Sequence, residues 1–317
     1  MYRRLPSIVE SRKKVVYAAL IGNCFVAATK FIAALTTASS AMLSEAIHSL
    51  VDTGDQLLIL YGLRRAKMPA DERFPFGHGK EIYFWSFIVA IQIFGVGAGL
   101  SIYQGIHRLA APRPVLNPIV NYVVIALSMV LEGASWSISL REFSKAKGKG
   151  DYFEAVHRSK DPSIFVVLLE DSAALLGLVI AFAGIYLSQA TGNPRFDALA
   201  SIIIGFILAA TATLLAHETK GLLIGESANR EVVKGIRDIA ESCKEIQHVN
   251  EILTMHMGPD FVLVNISVDF TDPASANEIE KAVAGLDREI KQVYPQVKRV
   301  FIEAEAWRPK DERQVRG

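Results

Sequence analysis

Ala41-Met-Leu-Ser-Glu-Ala-Ile-His-Ser-Leu-Val-Asp-Thr-Gly-Asp-Gln-Leu-Leu-Ile-Leu60 is the stretch on which the fold of this chain turns. It is long and apolar enough to cross a bilayer, yet it holds Glu45, His48, Asp52 and Asp55. At ~100° per residue the four side chains fall within roughly 80° of one another on a helix and form one polar stripe. An ionisable group at membrane depth costs several kcal/mol unless it faces a cavity or a partner, so the stripe reads as a functional site.

Working outward, six stretches pass the same length test: Val15 to Leu35, Ala41 to Leu63, Ile82 to Ile106, Ile119 to Leu140, Ser163 to Leu187, and Ala198 to Ala216. A mean hydropathy of +0.28 over the whole chain would not reveal them, because from Glu218 onward the sequence is charged and ordinary. The expected organisation is a polytopic all-α membrane domain of six transmembrane helices over residues 1–220. A cytoplasmic α+β domain over residues 221–307 and a charged tail over residues 308–317 follow. About 90 residues suffice for the second domain to fold around its own core.

Net charge is +1, so total charge points to no nucleic-acid partner, and its distribution matters more. Sixteen lysines and arginines lie in the N-terminus and in the loops after the second and fourth spans, against Arg108, Arg113 and Arg195 in the opposite loops. The positive-inside rule then places both termini in the cytoplasm. The basic linker Lys145 to Gly150 is read as a solvated loop. Cys24 and Cys243 are too few and too scattered for a disulfide framework or a thiolate metal site. The first apolar run is full length and has no cleavable signal pattern; with no Arg- and Ser-rich leader, a prokaryotic cell (inner) membrane is expected.

The loop Thr36 to Ser40 is short and uncharged, which makes the first two spans an antiparallel hairpin. Lys67 to Lys80 carries two prolines and two glycines and reads as a structured turn. In the C-terminal domain Arg230 to Cys243 reads as a helix and Val249 to Met255 as a strand. Phe261 to Phe270 alternates as a half-buried strand should, a helix begins at Ser275, and Val297 to Ala306 forms a last strand. An α-β-β-α-β order implies a small open-faced sheet with its helices on one side.

Imidazole and carboxylate at i and i+4 supply two neighbouring ligands that zinc and other borderline divalent ions accept, and His48 and Asp52 have that spacing. The fifth span offers Glu170 and Asp171. Being ~100° apart, only one of them can point squarely at a shared site, while the other bends in or binds a proton. The alternative is that these groups form interhelical salt bridges, but Lys30 is the one basic residue within the other spans able to pair with so many acids. Glu45, Asp55 and Glu132 are candidates for an ion or proton path, Glu132 equally for a structural partner of Lys30.

Ser44-Glu-Ala-Ile-His-Ser-Leu-Val-Asp52 followed by Phe76-Gly-His-Gly-Lys80 resembles the signature of the cation diffusion facilitator family of zinc and related metal transporters. The resemblance covers nearly the whole chain, including a ferredoxin-like, metallochaperone-like C-terminal domain. It implies a homodimer that exchanges a cytoplasmic divalent cation for protons across the bilayer by alternating access, with the transport site shared by the second and fifth spans. Carried over, the ligands are His48, Asp52 and Asp171, while the fourth ligand position falls on Val167. Glu170 is the replacement candidate, and a Glu-Asp pair here is similar to the zinc-transporter branch that includes the mitochondrial zinc exporter of animals.

Three oxygens and one nitrogen make a harder site than two imidazoles would, so manganese, iron or cobalt stand beside zinc as cargo. Asp71 and His78 match two positions of the family's loop metal site, but the third holds Phe74. Asn250, Asn277 and Glu303 stand where relatives often place histidine in the C-terminal domain, which points to dimerisation more than to metal sensing there. His107, His157, His217, His248 and His256 read as interfacial, surface or strand residues. No cofactor is expected beyond the transported ion. An intramembrane metalloprotease would need a His-Glu-x-x-His helix, which the seven isolated histidines do not provide, so no enzyme is expected. A non-transporting, metal-linked regulator is the other reading.

Overall fold

The computed structural model describes residues 23–147 and 160–307. The chain divides into two compact units, one of residues 1–64 and 82–220, the other of residues 65–81 and 221–317. The loop expected to belong with the membrane helices is thus grouped with the C-terminal residues.

The first unit is helical. Among the described residues its helices are α1 (Asn23–Thr37), α2 (Ser40–Ala66), α3 (Glu81–Ala110), α4 (Pro118–Lys147), α5 (Pro162–Thr191) and α6 (Arg195–Ile224). Four of them contain segments long and apolar enough to cross a membrane: Glu81–Ala110, Pro118–Arg141, Phe165–Thr191 and Arg195–Ile224. The two remaining expected spans differ for separate reasons. The stretch assigned to the first begins before the described residues. The second has 27 residues, ample length, but its polar stripe lowers its hydropathy.

Small residues bring these helices together, as they must where lipid offers no hydrophobic drive to helix association. Added Cβ atoms at Gly105 and Gly205 would strike Ile202 and Ile102, so α3 and α6 cross in close contact. Gly184 meets Ala200 in the same way where α5 crosses α6. Ser44 Oγ of α2 lies 2.6 Å from Ser201 Oγ of α6, and Ser201 donates to the Ser101 carbonyl of α3 at 2.8 Å. One turn of α3, Ile93–Ala98, is π-helical and falls in the glycine-rich run Phe94-Gly-Val-Gly-Ala-Gly99.

The α1–α2 turn is two residues, with Ala38 at φ 57°. Asp197, in the first turn of α6, accepts hydrogen bonds from Ser40 N (2.6 Å), Ser40 Oγ (2.7 Å) and Ser39 Oγ (2.5 Å). This carboxylate satisfies orphan donors at the start of α2 and sits at the positive end of its dipole.

In the second unit the order is α7 (Arg230–Glu241), β1 (Ile246–Gly258), β2 (Phe261–Phe270), α8 (Ala276–Val293) and β3 (Val297–Ala304). The strands lie in the order β1-β2-β3, β1 antiparallel to β2 and β2 parallel to β3. A parallel pair needs a crossover, and α8 provides it. Val262, Val264, Ile266 and Val268 of β2 pack with Ile236 and Ala240 of α7 and Leu286 and Ile290 of α8. Ser275 and Glu278 form a complete capping box at the start of α8. The loop of residues 65–81 closes on this unit through Gly79, where a Cβ would collide with the Met257 carbonyl, and through Lys80, which donates to the Leu223 carbonyl at 3.4 Å.

Candidate metal site

On α2, Glu45, His48 and Asp55 are buried and Asp52 is 14% exposed. His48 Nδ1 lies 3.1 Å from Asp52 Oδ1, so the i, i+4 spacing does bring nitrogen and oxygen donors together. That contact does not have the alignment of a hydrogen bond. Both His48 ring nitrogens, Asp52 Oδ1, both Asp55 oxygens, Gln56 Oε1 and Glu170 Oε1 are buried without a hydrogen-bond partner. Each such group costs about 1–3 kcal/mol, so this concentration on and opposite one helix face is what a cation-binding site would relieve.

On α5, Glu170 is buried, and the carboxylates that repel it are Asp55, Asp52 and Asp171. Asp171 is engaged elsewhere: its Oδ2 accepts from Ser135 Oγ at 3.1 Å and Ser139 Oγ at 3.0 Å, both on α4. Trp136 Nε1 donates to Ser172 Oγ at 3.0 Å alongside. Val167 is half-buried and offers no donor. Among the described residues, no three of the histidine, cysteine, aspartate and glutamate side chains are grouped closely enough to hold a metal ion. His48 and Asp52 therefore meet, while Glu170 and Asp171 do not join them in one group.

Glu45 and Glu132 are tied to Lys30, which is fully buried: its Nζ lies 3.0 Å from Glu45 Oε2, 2.7 Å from Glu132 Oε1 and 2.9 Å from Ser49 Oγ. Ser49, Ser135 and Ser139 are the polar residues that sequence reading passed over. The last two are spaced i, i+4, but in a span that also holds Ser128, Glu132 and Ser137, so spacing alone did not single them out.

In the loop, Asp71 Oδ2 lies 3.0 Å from His78 Nε2, and Asp71 Oδ1 accepts from Phe74 N at 2.7 Å and Arg73 N at 2.9 Å. The Phe74 amide first, then His78, hold the Asp71 carboxyl below its ordinary range. The Phe74 ring lies 4.6 Å from the imidazole, and Gly77 at φ 83° turns the chain between them. His256 is a buried strand residue, His248 lies against Trp307, His217 is exposed, and His107 stacks on Tyr103. His157, residues 148–150 of the linker and the tail lie outside the described residues, while residues 145–147, expected as loop, continue helix α4.

Residues 16–224 match the family described as the cation efflux transmembrane domain. The chain is similar to the mitochondrial proton-coupled zinc antiporter SLC30A9 of Xenopus laevis, 36% identical over 259 residues, covering 81% of this chain and 46% of that protein. It is also similar to metal tolerance protein C4 of Arabidopsis thaliana, 30% identical over 263 residues, 81% of this chain and 57% of the relative. With the cation-efflux pump FieF of Shigella boydii it shares 24% identity over 283 residues, 84% of this chain and 89% of the pump. The chain thus spans about half the length of the relatives it matches at higher identity.

Proposed function

The chain belongs to the cation efflux family of membrane transporters, and from that premise we propose that it exports a divalent metal cation, zinc first among them, from the cytoplasm in exchange for protons. The observation that carries this reading is the His48–Asp52 pair at 3.1 Å, set among buried, unpartnered carboxylate oxygens in a membrane helix. Oxygen and imidazole donors with no partner of their own are the donor set a doubly charged borderline ion takes. The names of the SLC30A9 relatives, proton-coupled zinc antiporters, support the choice of ion and of counter-ion.

On this reading α1 to α6 are six spans, with His48 and Asp52 on one side of the site and Asp171 and Glu170 on the other. The cargo ion draws Asp171 away from Ser135 and Ser139, and Glu170 supplies the donor that Val167 lacks. Ligation by neutral imidazole and by carboxylates competes with protons, so release is coupled to protonation without a separate relay, and Asp55 extends the path. The Asp71–His78 loop pair serves as a turn lock, since Phe74 covers the imidazole. On this reading the membrane is a prokaryotic cell membrane, and the clustering of lysine and arginine puts both termini on its cytoplasmic side. The protein works as a homodimer and not as an enzyme. Manganese, iron and cobalt remain within the donor chemistry, because oxygen outnumbers nitrogen in this set.

Proteoliposomes test the reading. Zinc uptake driven by an opposing proton gradient is expected, and Asp52→Ala or Asp171→Ala should abolish it. Zinc flux that ignores the proton gradient would remove the antiport, and absence of flux for every divalent ion would leave the regulator. Unchanged transport in Glu170→Ala would remove Glu170 from the site.

A further inference from the structure

Three acceptors converge on the Lys30 ammonium, and an ammonium has three protons to give. Glu45 Oε2, Ser49 Oγ and Glu132 Oε1 stand at 3.0, 2.9 and 2.7 Å, from α2 and α4, around a side chain that rises from α1 with no exposed surface. Such an arrangement has the form of a small cation site already filled. Each carboxylate also keeps a second buried oxygen, Glu45 Oε1 and Glu132 Oε2, that has no hydrogen-bond partner. Room for the first exists because residue 177 of α5 is glycine, where a Cβ would collide with that oxygen.

The cluster adjoins the candidate transport site. Glu45, His48, Ser49 and Asp52 are spaced i, i+3, i+4 and i+7, which places the ammonium beside the same face of α2, about one helical turn from the imidazole. The ammonium hydrogen-bonds Ser49, the residue next to His48. Two carboxylates and a hydroxyl are a hard, all-oxygen donor set of the kind magnesium and manganese take, unlike the mixed nitrogen and oxygen set at His48 and Asp52. Removing the ammonium would leave two carboxylates facing one another without a cation between them, a pair that one divalent ion can bridge.

We propose that Lys30 is a tethered cation occupying a hard-ion site built by Glu45, Glu132 and Ser49, and that by filling it the chain confines a transported ion to the neighbouring His48–Asp52 pair. The second half rests on the function proposed above. The first half, a masked cation site, stands on the geometry alone.

The test is manganese binding to the purified full chain in detergent. Lys30→Met should bind one more Mn2+ per chain than the unaltered protein, and the extra ion should vanish when Glu45→Gln and Glu132→Gln are added. Lys30→Arg, which keeps the charge, should gain none. Equal stoichiometry in Lys30→Met and the unaltered chain would overturn the proposal, as would an extra ion that survives the triple variant. Should Lys30→Met fail to stay monodisperse, Lys30→Ala is assayed by thermal unfolding against Mn2+ and methylammonium. Recovery of the unfolding temperature that Glu132→Gln removes supports the tethered cation, and no recovery by either sinks it. Zinc flux through the unaltered protein is measured separately, so failure of the transport reading and failure of the masked site give different results.

Discussion

Asp171 has two sets of partners to choose between, and the choice is written in two hydroxyls. Ser135 and Ser139 donate to one of its oxygens from α4, and a hydrogen bond to a charged acceptor is worth about 1.5–3 kcal/mol. An ion that takes this Oδ2 displaces those bonds, so they lower affinity and favour release. The double variant Ser135→Ala, Ser139→Ala is therefore expected to bind zinc more tightly, on the order of tenfold to a hundredfold by titration in detergent. Turnover in proteoliposomes should fall, because release slows. Unchanged affinity would mean that Asp171 is not a ligand or that the serines do not compete. Pairing of His48 with Asp52 was legible from spacing alone, since two residues four apart on a helix must meet. The attachment of Asp171 to α4 was not, because serines on the preceding helix, 36 and 32 residues back, carry no mark of the carboxylate they will meet.

Helix α2 is held at its start by a residue 157 positions away. The Asp197 carboxylate takes the Ser40 amide and both serine hydroxyls, and since all three residues are buried, its loss would leave those donors unsatisfied. Asp197→Ala should lower stability by about 1–3 kcal/mol, read as a fall in the unfolding temperature in detergent. It should also weaken metal binding, because the turn carrying Glu45 and His48 follows directly on this cap. Asp197→Asn, which keeps acceptor and size but not charge, should fall between the two. A full-sized loss of stability with metal affinity untouched would separate the cap from the site. Elements such as β2 and α8 were legible because alternation and a capping box are local signals. The π-helical turn in α3 was not, since glycines mark a permissive backbone without saying which of its irregular forms packing will select.

At the scale of the molecule, segment-long hydropathy located the helices of the first unit, while the grouping of the loop 65–81 with the C-terminal residues could not be read from a linear sequence. The contact rests on Gly79 against the backbone at Met257 and Gly258, a fit between two chain segments nearly 180 residues apart. Sheet register carries the remaining consequence. Pairing of Leu253 with Asn265 and of Asn265 with Phe301 sets those residues on the face opposite the core row Ile252, Ile266, Ile302. Leu253 is 54% exposed and Phe301 50% exposed, with Met255 on the same face at 37%. An apolar sheet face open to water is costly, and a second copy related by a two-fold axis would cover it with the same residues from its own sheet. For the homodimer proposed above, Leu253→Glu with Phe301→Glu is expected to reduce the mass of the full-length protein in detergent, by light scattering, from two chains to one. The paired variant should keep its unfolding temperature within a few degrees, because neither side chain belongs to the core. If the mass stays at two chains with both glutamates in place, this face is not where the copies meet.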